Sequence, residues 1–85
     1  MNELELLKKK IKYRASYRGT KEMDLLLTSF ISNIIDTLPY EKLKKLNEFL
    51  NNEDEEISNF YLSKTPMENF DDKQILDLFV HHKIS

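Results

Sequence analysis

The sequence predicts an all-α protein, a compact bundle of about five short helices, and three observations carry that expectation. One glycine and two prolines in 85 residues leave little of the turn chemistry that strands and hairpins consume. Apolar residues recur at helical spacing through most of the chain. A chain of this length has apolar material for one core only, so residues 1–85 read as a single helical domain. Cysteine is absent, which excludes a disulfide framework, a thiolate zinc site and a cysteine nucleophile. Stability therefore rests on packing, and a domain this small retains only about 5 kcal/mol of it.

Leu4, Leu7 and Ile11 place a first helix over about 2–16, with Lys8, Lys9, Lys10 and Lys12 expected on its solvent face. It should stop near Gly19, the only glycine, which is expected where the backbone takes a positive φ or another chain comes close. Met23, Leu26, Leu27, Phe30, Ile31, Ile34 and Ile35 give the strongest periodic signal and mark the central helix of the core. Leu38-Pro39 breaks it, because proline disfavours helical geometry in the residue before it and suits the first turn of a new helix. The third helix then spans about 39–51, with Leu43, Leu46, Phe49 and Leu50 in one stripe. Asn51-Asn52 and the acids Glu53 to Glu56 form a turn and a helix start, predicting a fourth helix over about 54–62 with Ile57, Phe60 and Tyr61 inward. Residues 63–69 read as a loop, and a last helix over about 71–83 packs Ile75, Leu76, Phe79 and Val80.

Little here supports catalysis. His81 and His82 point about a third of a turn apart on a helix, so they do not converge on one metal; basic residues near a helix C-terminus instead complement its dipole. The acidic run Glu53 to Glu56 lacks the alternating ligands and central glycine of a calcium loop. A single glycine cannot build a phosphate-binding loop, and no serine sits in a nucleophile elbow. No catalytic residue, no metal site and no enzyme activity are expected. The start, Met1-Asn2-Glu3-Leu4-Glu5, has neither a secretory layout nor the Arg-rich, acid-poor character of a mitochondrial presequence, so a bacterial cytoplasm is the expected location.

Charge is unevenly placed. Residues 1–21 hold seven Lys/Arg against two Glu, a net +5, and the rest holds six against thirteen, a net −7. The stretch Lys8-Lys9-Lys10-Ile11-Lys12-Tyr13-Arg14 interleaves cations with an aromatic, so an alternative function is a small nucleic-acid-associated regulator working through this basic helix. The acidic whole, with a sequence pI near 5.7, argues against it.

The segment Tyr17-Arg18-Gly19-Thr20-Lys21-Glu22-Met23-Asp24 gathers both signs of charge around the glycine at a helix junction. Arg18 offers a planar fork for carboxylates or carbonyls, and Glu22 and Asp24 fall in the first turn of the next helix, where anions are favoured. Two readings stand on the pattern: a rigid patch that docks a partner, or a local Arg18–Glu22 pair that caps the helix.

Arg18-Gly19-x-x-Glu22-Met23-Asp24 resembles the Arg-Gly-x-x-Glu-Leu/Met-Asp signature of the succinate dehydrogenase assembly factors, the small flavinylation factors of bacteria and mitochondria. The likeness extends over about 8–62, through the basic helix before the motif, the apolar helix after it, the break at Leu38, the acidic turn and the aromatic Asn59-Phe60-Tyr61-Leu62. The resemblance implies a chaperone that binds the flavoprotein subunit of succinate dehydrogenase, or of fumarate reductase, and promotes covalent attachment of FAD to a histidine there. It implies no stably bound cofactor, FAD belonging to the client, no nucleic acid, no membrane insertion, and a monomer or weak dimer. It places partner binding on Arg18, Gly19, Glu22 and Asp24, flanked by Tyr17 and Arg14, with Arg18 and Glu22 as contacts, Gly19 allowing close approach and Asp24 orienting the patch or capping its helix. On that reading, alanine at Arg18 or Glu22 leaves the fold intact. The chain departs from the family where Tyr17 replaces a second arginine and Thr20 a bulky apolar residue.

Overall fold

Each helix begins where a side chain or a carbonyl can serve its unpaired N–H groups. The computed structural model describes residues 2–83; Met1, Ile84 and Ser85, which belong to the 1–85 domain and in part to the location reading above, lie outside the described residues. Helix α1 (Glu3–Ala15) is capped by Asn2, whose side chain accepts the Glu5 N–H at 2.8 Å, with acids in its first turn and Lys12 and Arg14 in its last. Helix α2 (Lys21–Ile34) is capped by Thr20, whose Oγ1 accepts the Met23 N–H at 3.2 Å. That hydrogen bond gives the departure at Thr20 a local purpose.

Helix α3 (Tyr40–Phe49) starts one residue later than expected, because Pro39 stands at the N-cap and its carbonyl accepts the Lys42 and Leu43 N–H groups. Helix α4 (Asp54–Ser63) opens on the acidic run, where the Glu56 carboxylate accepts the Glu53 N–H, and ends at Lys64 in the left-handed conformation. Helix α5 (Lys73–Val80) is shorter at both ends than the periodicity suggested. Asp72 takes the N-cap, accepting the Ile75 N–H at 3.1 Å and the Lys42 ammonium at 2.8 Å. Burial works to raise the Asp72 pKa, yet Lys42 and the helix-start N–H groups prevail and hold it below the ordinary 3.8. Among the described residues there is no strand, and no helix is long and apolar enough to cross a membrane.

Helix α1 packs on α2 and α3, and α4 on α5. The core is tied together by three fully buried rings from three helices, Phe30, Phe49 and Phe79, with centroids 4.9–6.1 Å apart in tilted and edge-on arrangements. A radius of gyration of 12.1 Å matches the ~12 Å of a close-packed globule of this length.

One expectation needs correction and one needs extending. Lys8 is not free: its Nζ lies 2.9 Å from Asp36, its side chain is only 20% exposed, and the hydrogen bond to Asp36 raises its pKa while lowering that of Asp36. The loop expected over 63–69 is found over 64–69, Ser63 closing α4, and it also reaches the core: Met67 is buried in it and Phe70, just beyond, lies against Phe49 at 5.4 Å. Two apolar residues three apart in an irregular segment carry no period, so their inward turn had no signature.

The C-terminal segment is held by His82. Its Nε2 is 2.9 Å from Ser29 Oγ, its ring lies 5.6 Å from Phe30, and its carbonyl accepts the Tyr61 hydroxyl. Partial burial lowers the imidazole pKa below its ordinary 6.5. The grooves beside it are lined by Ser29, Ser32, Asn33 and Lys83 on one side and by Gln74 and Asp77 on the other. The unfolded chain then binds the proton more tightly, so His82 contributes stability in full above pH 6.5 and loses it as pH falls through the lowered folded value. Urea unfolding from about pH 7.5 to about pH 5 should show this decline, and His82→Asn should flatten it. An equal slope in the variant would assign the decline to other groups.

Candidate functional site

The motif occupies the α1–α2 junction, and its conformation follows from how α1 ends. Ser16 closes the helix through its N–H to the Tyr13 carbonyl and its hydroxyl to the Lys12 carbonyl. The next residue, Tyr17, takes a left-handed φ of 50°. The expectation for Gly19 is therefore corrected: the positive φ falls on Tyr17, and Gly19 has none.

Beyond that step the Arg18 side chain turns inward to the α3–α4 junction. Its Nε donates to Asp54 Oδ1 at 2.7 Å, one terminal nitrogen donates to the Asn52 carbonyl at 3.0 Å, and the other approaches the Arg14 and Leu50 carbonyls at 3.3 and 3.4 Å. The side chain is 12% exposed and that of Asp54 27%. Arg18 thus serves carbonyls left open at the ends of α1 and α3, a task suited to a planar fork with five donors. Arg14 does similar work one turn earlier, donating to the Asn47 carbonyl at 2.9 Å, to Asn47 Oδ1 at 2.7 Å and to Asn51 Oδ1. Burial, and then the charge of Arg18, lower its pKa. Helix α3 has no basic residue in its own last turn, so these two arginines from the other junction supply the positive charge its C-terminus favours.

The local alternative is corrected in the same stroke. Arg18 pairs with Asp54, 36 residues away, and Thr20 caps α2. Glu22 is exposed on the first turn of α2. Asp24 is half-buried, and its Oδ1 is sealed from solvent without a hydrogen-bond partner among the described residues. The favourable end of the helix dipole offsets part of that cost.

What faces outward is a rim. Tyr17 is 80% and Tyr13 68% exposed, with their rings 5.2 Å apart, and Gly19, Thr20, Lys21, Glu22 and the 59% exposed Leu25 continue it. Large side chains left in water beside a fixed backbone suit a contact surface. Tyr13 was read only as the aromatic among the cations of α1, and Leu25 was not singled out by the sequence; the signal each carries for this rim is a position off the apolar stripe of its helix. Of the basic stretch in α1, Lys8 is paired and Arg14 engaged, leaving Lys9, Lys10 and Lys12 exposed. Among the described residues no three His, Asp or Glu side chains gather as a metal site.

Residues 9–83 match a family model described as flavinator of succinate dehydrogenase. The chain is 35% identical over 82 residues to a mitochondrial succinate dehydrogenase assembly factor 2 of Dictyostelium discoideum, covering 96% of this chain and 58% of that protein. It is 29% identical over 66 residues to the FAD assembly factor SdhE of Acetobacter pasteurianus, covering 78% of this chain and 61% of that protein. The chain thus spans about three fifths of the length of these curated relatives. No solved structure matches it.

Proposed function

Because this chain belongs to the family of succinate dehydrogenase flavinators, we propose that it docks on the flavoprotein subunit of succinate dehydrogenase and promotes covalent attachment of FAD there. The flavoprotein of fumarate reductase is a second client of the same chemistry. The chain holds no flavin of its own and contributes no nucleophile; it acts in the cytoplasm, as a monomer or weak dimer, by biasing the client. Binding favours the client conformation in which the isoalloxazine lies against the acceptor histidine, and the rate gain is one of positioning.

The observation that carries the reading is the exposed rim of Tyr13, Tyr17, Gly19 and Glu22 on a junction already held by Arg18. A preformed patch loses little conformational entropy on binding, so its few aromatic contacts count for more. Arg18 is neutralised internally, and Glu22 is then the motif's exposed anion, beside Lys21. The fitting client surface is apolar opposite the two tyrosines and cationic opposite Glu22.

The test is to co-express the chain with the flavoprotein subunit, recover the pair, and compare in-gel flavin fluorescence with and without the chain. Glu22→Ala should leave the melting curve within about 0.5 kcal/mol of the parent while reducing both retained flavoprotein and its covalent flavin severalfold. Undiminished fluorescence with Glu22→Ala and Tyr17→Ala together would remove the rim from the mechanism.

A further inference from the structure

We propose that Asp54 is a positioning residue of the docking motif, and that its carboxylate is what requires glycine at position 19; the proposal rests on the docking reading above. A glycine in such a signature invites two explanations, a backbone only glycine adopts or an incoming partner that needs room. The first is absent, since Gly19 has no positive φ. The space beside its Cα is already taken, and from within the same chain.

A Cβ built on Gly19 would stand 2.9 Å from Asp54 Oδ2. Such a contact is cheap when the opposing atom can swing away, but this one is held. Oδ2 accepts the Gly19 N–H at 2.6 Å, and Oδ1 of the same group accepts Arg18 Nε at 2.7 Å. Asp54 is also the first residue of α4, where the helix dipole favours its charge and the helix sets its Cα. A methyl group at position 19 therefore pushes the carboxylate off both donors at once. Both hydrogen bonds have an ionised acceptor, the stronger class of such bonds.

One carboxylate thus binds the Arg-Gly pair as a unit. The neighbouring acids do not substitute for it: Glu53 and Glu55 are exposed, and Glu56 is turned to the Glu53 N–H. Through Gly19 the carboxylate sets the backbone that carries Tyr17 on one side and Thr20 and Glu22 on the other. The functional motif accordingly has a member that lies 35 residues beyond its glycine.

A double-mutant cycle tests this on the full chain, with affinity for the flavoprotein subunit as one readout and the Gly19 amide resonance of the free chain as the other. Gly19 is the only glycine, so its signal is readily assigned. Gly19→Ala and Asp54→Ala should each weaken client binding by about tenfold, and the double variant should be no weaker than Asp54→Ala, because the methyl group then meets nothing. Multiplying losses in the double variant would overturn the proposal: Gly19 would be needed by the client directly, with the docking reading intact. Unchanged client binding in all three variants would also overturn the proposal, whereas no binding of the flavoprotein subunit by the parent chain would sink the docking reading.

Asp54→Asn keeps the side-chain size and covers the case in which Asp54→Ala melts. An amide supplies one acceptor where the carboxylate supplies two, so either the Gly19 N–H or the Arg18 Nε–H loses its partner and shows a shifted resonance and faster hydrogen exchange. Unaltered Gly19 amide and Arg18 Nε–H resonances together in Asp54→Asn would overturn the positioning role whatever the client does.

Discussion

Phe30→Ala is expected to remove most of this protein's stability, about 3–5 kcal/mol. The ring is fully buried and lies 4.9 Å from Phe79 and 6.1 Å from Phe49, so its loss opens a cavity where α2, α3 and α5 meet. It also removes the surface against which His82 rests. An 85-residue chain without disulfides has about 5 kcal/mol to lose, so the variant should be partly unfolded at ordinary temperature. Urea titration followed by circular dichroism would show the midpoint falling with little change in slope. A loss below about 1 kcal/mol would mean that the bundle collapses to fill the space, and that the three rings do not act as its central tie.

Arg18→Ala should cost about 2–3 kcal/mol, a drop in melting temperature of roughly 10–20 °C for a domain of this size. The motif reading from sequence implied an intact fold for this variant, and the structure reverses that. Removing the guanidinium leaves the Asp54 carboxylate without its charged partner and takes a donor from the Asn52 carbonyl. Such an orphaned group costs more than the lost contact alone. Lysine is a poor replacement, since a point charge can answer Asp54 but not also the carbonyls the fork reaches, and Arg18→Lys should recover about half of the loss. Differential scanning calorimetry of the two variants separates the possibilities. A parent-like melt for Arg18→Ala would return Arg18 to the role of a free contact residue. The comparison also governs how flavinylation data are read: a deficit with Arg18→Ala carries a stability component, whereas one with Glu22→Ala does not.

The fold was legible wherever its causes are local. The stripe from Met23 to Ile35 reports a helix that faces the core, and all of its apolar members are buried. The break at Pro39 and the acidic start of α4 placed their boundaries within a residue or two. Position 72 shows the limit: the last helix was expected from about 71, whereas Asp72, which Lys42 approaches from α3, is its N-cap. Met67 and Phe70 could not be placed, because burial without a period depends on what lies opposite.

The motif divides along the same line. By itself the sequence determined the helices, the junction and the Arg-Gly-x-x-Glu pattern with its family likeness, because spacing and capping act over a few residues. Only the tertiary structure decided that Arg18 points inward, that Tyr17 carries the left-handed step and that Asp54 completes the site. Asp54 sits among Glu53, Glu55 and Glu56 with nothing in sequence to distinguish it. Packing α1 against α3 brings their junctions together and selects which of those four carboxylates meets the guanidinium. A charged fork is satisfied by whatever lies within about 3 Å of it, and across 36 residues of chain that neighbour is set by the fold.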